Sequence, residues 1–140
     1  MIAHILFNLS IDSGSNYNIA KTSTAFHAWH KEDDSGTNLS YTAGNHLAQG
    51  TGAQRLTSGG MDVANADGNV SGELTLYDPS STTFVKNFIA RSALNSYHPY
   101  AYNLYIAGYA NTTSAINAIQ FTIESQNFDN GIFKLYGIGG

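Results

Sequence analysis

A chain of 140 residues makes one domain and buries enough surface to fold without disulfides or a structural metal. There is no Cys, which excludes thiol chemistry and disulfides. Only 11% of residues are charged, the net charge is −4 and the six Lys and Arg are scattered; a basic patch for nucleic acid is excluded, and the surface must be built from Ser, Thr, Asn, Gly and Tyr.

Ile5, Phe7, Leu9 and Ile11 alternate with Leu6, Asn8 and Ser10, the period-two pattern of a strand with one buried face. Asp12-Ser13-Gly14-Ser15-Asn16 closes it with turn residues. Tyr17 to Lys31 reads as a second, bent strand, with Phe26 and Ala28 on one face and His27 and Trp29 on the other. A Trp flanked by two His is less apolar than a core strand requires, so the Trp29 side is expected to be partly exposed or to face another subunit. Glu32 to Gly36 is a polar break. From there to Gly68 glycines punctuate a loose stretch in which Leu47, Leu56, Met61 and Val63 are the apolar pins. A structureless loop of that length is rare in a compact domain. The stretch is expected to hold one or two short irregular strands, or an arm, centred on Gly50, Gly52, Gly59 and Gly60, that docks on a partner.

Regular alternation returns at Val70, with Leu74 and Leu76 inward. Asp78-Pro79-Ser80-Ser81 is a turn, Thr82 to Arg91 the returning strand, and Ser92 to Ser96 a loop. Tyr97 to Tyr109 is the longest strand, with Tyr100, Tyr102, Leu104 and Ile106 on one face and Tyr105, Ala107 and Tyr109 on the other. Ile119, Phe121 and Ile123 alternate, then Phe133 and Leu135, about Gln126-Asn127-Phe128-Asp129-Asn130-Gly131; this spacing predicts a closing hairpin. Gly72 to Tyr77 and Gly131 to Tyr136 share the pattern G-x-Φ-x-L-Y, either as two equivalent edge hairpins or as coincidence between two strands. No segment sustains a 3.6-residue period. The expectation is an all-β single domain over residues 1–140, a two-sheet, jelly-roll-like β-sandwich.

No nucleophile elbow, phosphate-binding loop or His-Glu-x-x-His is present, and no catalytic residue, metal or cofactor is expected. His27-x-x-His30 has metal-like spacing, but strand residues three apart point to opposite faces. Asp62, Asp67 and Asn69 do not match an EF-hand loop and read as solvated polarity. No apolar run reaches the length of a membrane span, and the start, Met1 to Leu6, lacks the charged and apolar regions of a secretory signal. Five Tyr fall between Tyr97 and Tyr109. Each can be core, a protein-interface anchor or a stacking platform for sugars. Trp29, Tyr100, Tyr102 and Tyr105 are the candidate contact residues.

The block Tyr109-Ala110-Asn111-Thr112-Thr113-Ser114-Ala115-Ile116-Asn117-Ala118-Ile119, with Asn127-Phe128-Asp129-Asn130-Gly131 and Leu135-Tyr136-Gly137-Ile138, resembles the ending of a family of small virion structural proteins of tailed, especially marine, bacteriophages. Ser71 to Thr83 and Thr24 to Asp34 are similar to that family as well. The resemblance implies a place in the virion as a structural, head-decoration or tail-fibre protein and implies no reaction. Because the sequence starts abruptly at a strand, an N-terminal attachment arm seen in longer relatives is expected to be missing. The expected role is an oligomeric capsid decoration (cement) protein. Its partners would be itself as a homotrimer and the major capsid protein or tail proteins, with no nucleic acid and no membrane. The alternative is a tail-fibre or receptor-binding module that grips host glycans.

Overall fold

A computed structural model describes residues 2–62, 64 and 66–139. The chain is all-β, with strands β1 (Ile2–Ala3), β2 (Ile5–Ser10), β3 (Lys21–Lys31), β4 (Thr37–Tyr41), β5 (Gln54–Arg55), β6 (Met61–Asp62), β7 (Asn69–Leu76), β8 (Lys86–Asn95), β9 (Tyr100–Ala110) and β10 (Ala118–Ile123), and one 3-10 turn at Ala43–Asn45. Five strands in the order β4-β3-β9-β8-β7 form the larger layer and β10-β2-β5 the smaller, while β1 pairs with β6. All pairings are antiparallel. The two layers form a sandwich.

Alternation creates the core. Phe7 and Leu9 of β2 face Ala25, Phe88, Ala90, Leu104 and Ile106 of the larger sheet, all buried. The Phe7 and Phe88 rings meet edge to face, 5.3 Å apart at 83°, in the space that Ala25 and Ala90 leave open. One end of the core is closed by two lysines rather than by apolar residues. Lys21 and Lys86 both pair with Ala110, from opposite sides, and both are fully buried. Lys21 Nζ donates to Asn8 Oδ1 at 2.6 Å and to the Ile19 carbonyl at 2.9 Å. Lys86 Nζ donates to the Thr112 and Ser114 carbonyls.

Gly108 of β9 pairs with Ser23 of β3 and Phe88 of β8. A Cβ there would stand 2.6 Å from both Phe88 Cζ and the Thr22 carbonyl oxygen, and the carbonyl belongs to a strand that cannot recede. Gly108→Ala is therefore expected to destabilise the fold by about 1–3 kcal/mol. Ala107→Ser, on the exposed face one residue away, should stay within about 0.5 kcal/mol of the parent. Urea midpoints of the two variants check this.

Several expected boundaries shift. The second strand begins at Lys21, not Tyr17, and the strand expected from Thr82 begins at Lys86. Ser92 to Asn95 is strand rather than loop, because Ser92 and Leu94 face inward and Ser92 Oγ donates to the Leu56 carbonyl. The strand expected from Tyr97 begins at Tyr100, after Pro99, which has no N–H to give to a ladder. The closing hairpin does not form. β10 pairs with β2 along all six residues, whereas residues 127–139 make no backbone hydrogen bond and hold no strand. Phe133 returns to the sheet by its ring alone, stacking on Phe121 at 4.8 Å, and Phe128 reaches it only through an edge contact with Phe133.

Candidate interaction surfaces

Residues 37–62, expected to be loose, are fastened to the body by polar side chains more than by apolar pins. Ser23 Oγ donates to Gln54 Oε1 and accepts from the Leu47 N–H. Asn45 Nδ2 donates to the Thr57 carbonyl, and Gly50 exchanges backbone hydrogen bonds with Lys21. The stretch expected to hold short irregular strands or a docking arm holds the short strands β4, β5 and β6 and lies as a strap on the chain's own sheets. Gly52 is exposed. Gly59 and Gly60 have positive φ, at +78° and +68°, and a Cβ on Gly59 would meet the Tyr102 ring at 2.6 Å. Only a residue without a side chain lets the strap lie flat on that ring. Val63, one of the four expected pins, lies outside the described residues.

The strap divides the aromatic residues. Trp29, Tyr100 and Tyr102 stand together on the inner face of the larger sheet, beyond the end of the smaller layer, each half-buried. Trp29 stacks on Tyr100 at 5.0 Å and 20°, and Tyr100 on Tyr102 at 6.1 Å and 25°. His98 lies against Tyr100, and Lys31 Nζ sits 5.6 Å from the Tyr100 ring centre. Burial, then the neighbouring Tyr100, holds the Tyr102 phenol above its ordinary pKa. Tyr105 is not part of this cluster. It points to the outer face, stacked on Phe26 at 4.9 Å and 12°, with the Arg91 guanidinium 5.1 Å from its ring centre. Alternation along β9 separates Tyr105 from Tyr100 and Tyr102, as the sequence predicts.

Register turns that outer face into rows. Tyr41, Phe26, Tyr105, Arg91 and Glu73 are consecutive cross-strand partners over all five strands. One end of the same face holds an open depression of about 780 Å³, whose lining includes Thr22, Thr24, Tyr77, Asn87, Ala107 and Tyr109. Asn87 is the register partner of Tyr109, and its carbonyl accepts from the Tyr77 N–H, so a Tyr flanks it on either side.

His27 and His30 lie on opposite faces. His27 Nδ1 is 2.6 Å from Ser58 Oγ and its Nε2 3.1 Å from Ser40 Oγ, and desolvation lowers its pKa. Ser58 is buried, so this hydroxyl–imidazole–hydroxyl chain ties the strap to β3. His30 Nε2 meets Asp34 in the open. Asp62 Oδ1 accepts from the Ala64 N–H. Among the described residues no three His, Asp or Glu side chains converge as metal ligands, and no helix is long and apolar enough to cross a membrane. The fastenings through Ser23, Gln54, Asn45 and Ser58 escape sequence reading, because partners 12 to 31 residues apart leave no periodic trace.

The closing segment leaves large apolar side chains in solvent. Ile132, Leu135, Tyr136 and Ile138 are 82%, 91%, 74% and 89% exposed. On the outer sheet face Leu39, Tyr41, Phe26 and Ile89 are also exposed. Comparison with protein families, curated proteins and solved structures gives no match to this chain.

Proposed function

We propose that this chain is a non-enzymatic structural protein of a bacteriophage virion. In this reading it is a jelly-roll-like sandwich that assembles as a homotrimer on the particle exterior and decorates, or cements, the capsid by contact with the major capsid protein. The observation that carries the reading is the amount of large apolar surface left in solvent by a sparsely charged chain, above all Ile132, Leu135, Tyr136 and Ile138. Contiguous apolar exposure of this kind marks association surfaces. The half-buried stack of Trp29, Tyr100 and Tyr102 supplies rigid aromatic anchors of the type that dominate interface energies, and the resemblance of the closing residues to phage virion proteins points the same way. Quantitative mass spectrometry of purified particles tests it. Hundreds of copies per particle are expected. Absence from the particle overturns the reading, and a handful of copies overturns decoration in favour of the tail.

A second reading, a tail module gripping host glycans, is favoured by the depression between Tyr77 and Tyr109. Its mostly apolar lining, with Ile89 and Ala107 between the tyrosine rings and one amide and threonine hydroxyls but no charged side chain, suits the apolar face of a neutral sugar. Selective binding of the isolated chain on a glycan array, lost in Tyr109→Ala, is the result expected of that reading.

A further inference from the structure

The smaller layer has three strands against five in the larger, and the shortfall leaves the core open. Beside the free edge of β10, Leu74, Leu76, Ile119 and Phe121 are packed against the core but only partly buried. The closing segment carries the alternation of a strand but has no sheet partner. Its alternation sets Phe133 and Leu135 on one side and Ile132, Lys134 and Tyr136 on the other, and the same G-x-Φ-x-L-Y pattern in β7 forms a paired strand with Leu74 and Leu76 turned inward. Yet residues 127–139 make no backbone hydrogen bond, and Leu135 and Ile138 are almost wholly exposed. Extended apolar segments and open strand edges complement each other by strand addition.

We propose that residues 131–138 of one copy add as a strand to the β10 edge of a second copy, with Phe133 and Leu135 covering Ile119, Phe121, Leu74 and Leu76. The occupant is another molecule of this chain because the segment reproduces a strand pattern that this same fold already pairs, and because neither the β10 edge nor the segment has a backbone partner within one molecule; they meet there only through the Phe133–Phe121 ring stack, a contact that the exchange reproduces between copies. Donation from each copy to the next is a head-to-tail contact, which forms a closed ring when the rotation between copies closes, and a ring of three would be the trimer. The inference rests on the self-association in the reading above and names the element that performs it.

Light scattering of the purified full chain, of a chain ending at Gln126 and of Leu135→Asp tests it. The full chain is expected to be oligomeric and the shortened chain monomeric. Leu135→Asp should weaken association at least about tenfold. If the shortened chain does not fold, Leu135→Asp decides, since a side chain 91% exposed contributes little to its own fold. The chain has no Cys, so Thr122→Cys and Lys134→Cys, both placed on the outward side of the proposed pair, can be co-expressed as two single variants. A disulfide joining the two chains supports the exchange. A monomeric full chain overturns it, as does a shortened chain or a Leu135→Asp variant with the parent's oligomeric state. An oligomer that depends on this segment but is missing from particles would refute the virion reading alone.

Discussion

Phe7→Ala is expected to destabilise the fold by about 3–5 kcal/mol, a large share of the roughly 5–15 kcal/mol that holds a typical domain together. The reason is position. Phe7 is fully buried on the inner face of β2, the central strand of the smaller layer, and its ring meets Phe88 edge to face across the sandwich. The facing residues include Ala25 and Ala90, which cannot extend to refill the space that a lost ring leaves. Shortening the side chain therefore removes both apolar burial and packing contacts, and the cavity stays. Phe7→Leu keeps most of the volume and should cost less than half as much. Ile89→Ala, on the outer face and half exposed, should cost under about 1 kcal/mol. Urea unfolding followed by far-UV circular dichroism gives all three values. A Phe7→Ala midpoint close to that of Ile89→Ala would mean that the layers are not held where Phe7 and Phe88 meet.

The residues that make this argument were legible in the sequence. Phe7 and Leu9, Lys86 and Phe88, and Leu104 and Ile106 each fall on one face by simple alternation, and the structure turns all six inward. Alternation also separates Tyr105 from Tyr100 and Tyr102. It does not say where a strand stops: β8 runs on through Ser92 because a buried hydroxyl finds the Leu56 carbonyl, and hydroxyls carry no hydropathic signal. The strap was opaque for the same reason. Its anchors are Asn45, Gln54, Thr57 and Ser58, all buried polar residues whose partners come from distant parts of the chain. The closing hairpin illustrates the opposite error. The period of residues 132–136 identifies a strand-forming segment, but period alone cannot distinguish a partner within the molecule from one outside it. Of the candidate contact residues, Trp29, Tyr100 and Tyr102 form one cluster. The exposed apolar side chains of the closing segment alternate as a hairpin strand would, so periodicity places in a sheet what the structure leaves in solvent.

Lys21 makes the stability of the fold rise with pH above neutrality. Its ammonium is fully buried, with only the Asn8 amide oxygen and the Ile19 carbonyl as acceptors, and desolvation pulls its pKa down to about 8 from the 10.5 of a free lysine. Below both values the lysine is charged in the folded and unfolded chains alike, and folding bears the full desolvation penalty. Between them the folded chain releases its proton while the unfolded chain keeps it. The unfolded state then binds more protons, so stability increases with pH. The total is roughly 3 kcal/mol across the interval, and about 2 kcal/mol of it is present by about pH 9.5. Lys21→Met keeps the length and the apolar stem and removes the titrating group. Urea unfolding at pH 7 and about pH 9.5 is expected to show the parent gaining about 2 kcal/mol and the Met variant almost none. The neutral amine of the folded state can still donate to Asn8, so the gain requires no rearrangement of β2 against β3. A parent whose midpoint is flat over this interval, or a Met variant that keeps the slope, would show that Lys21 is better solvated than its burial beside Ala110 implies.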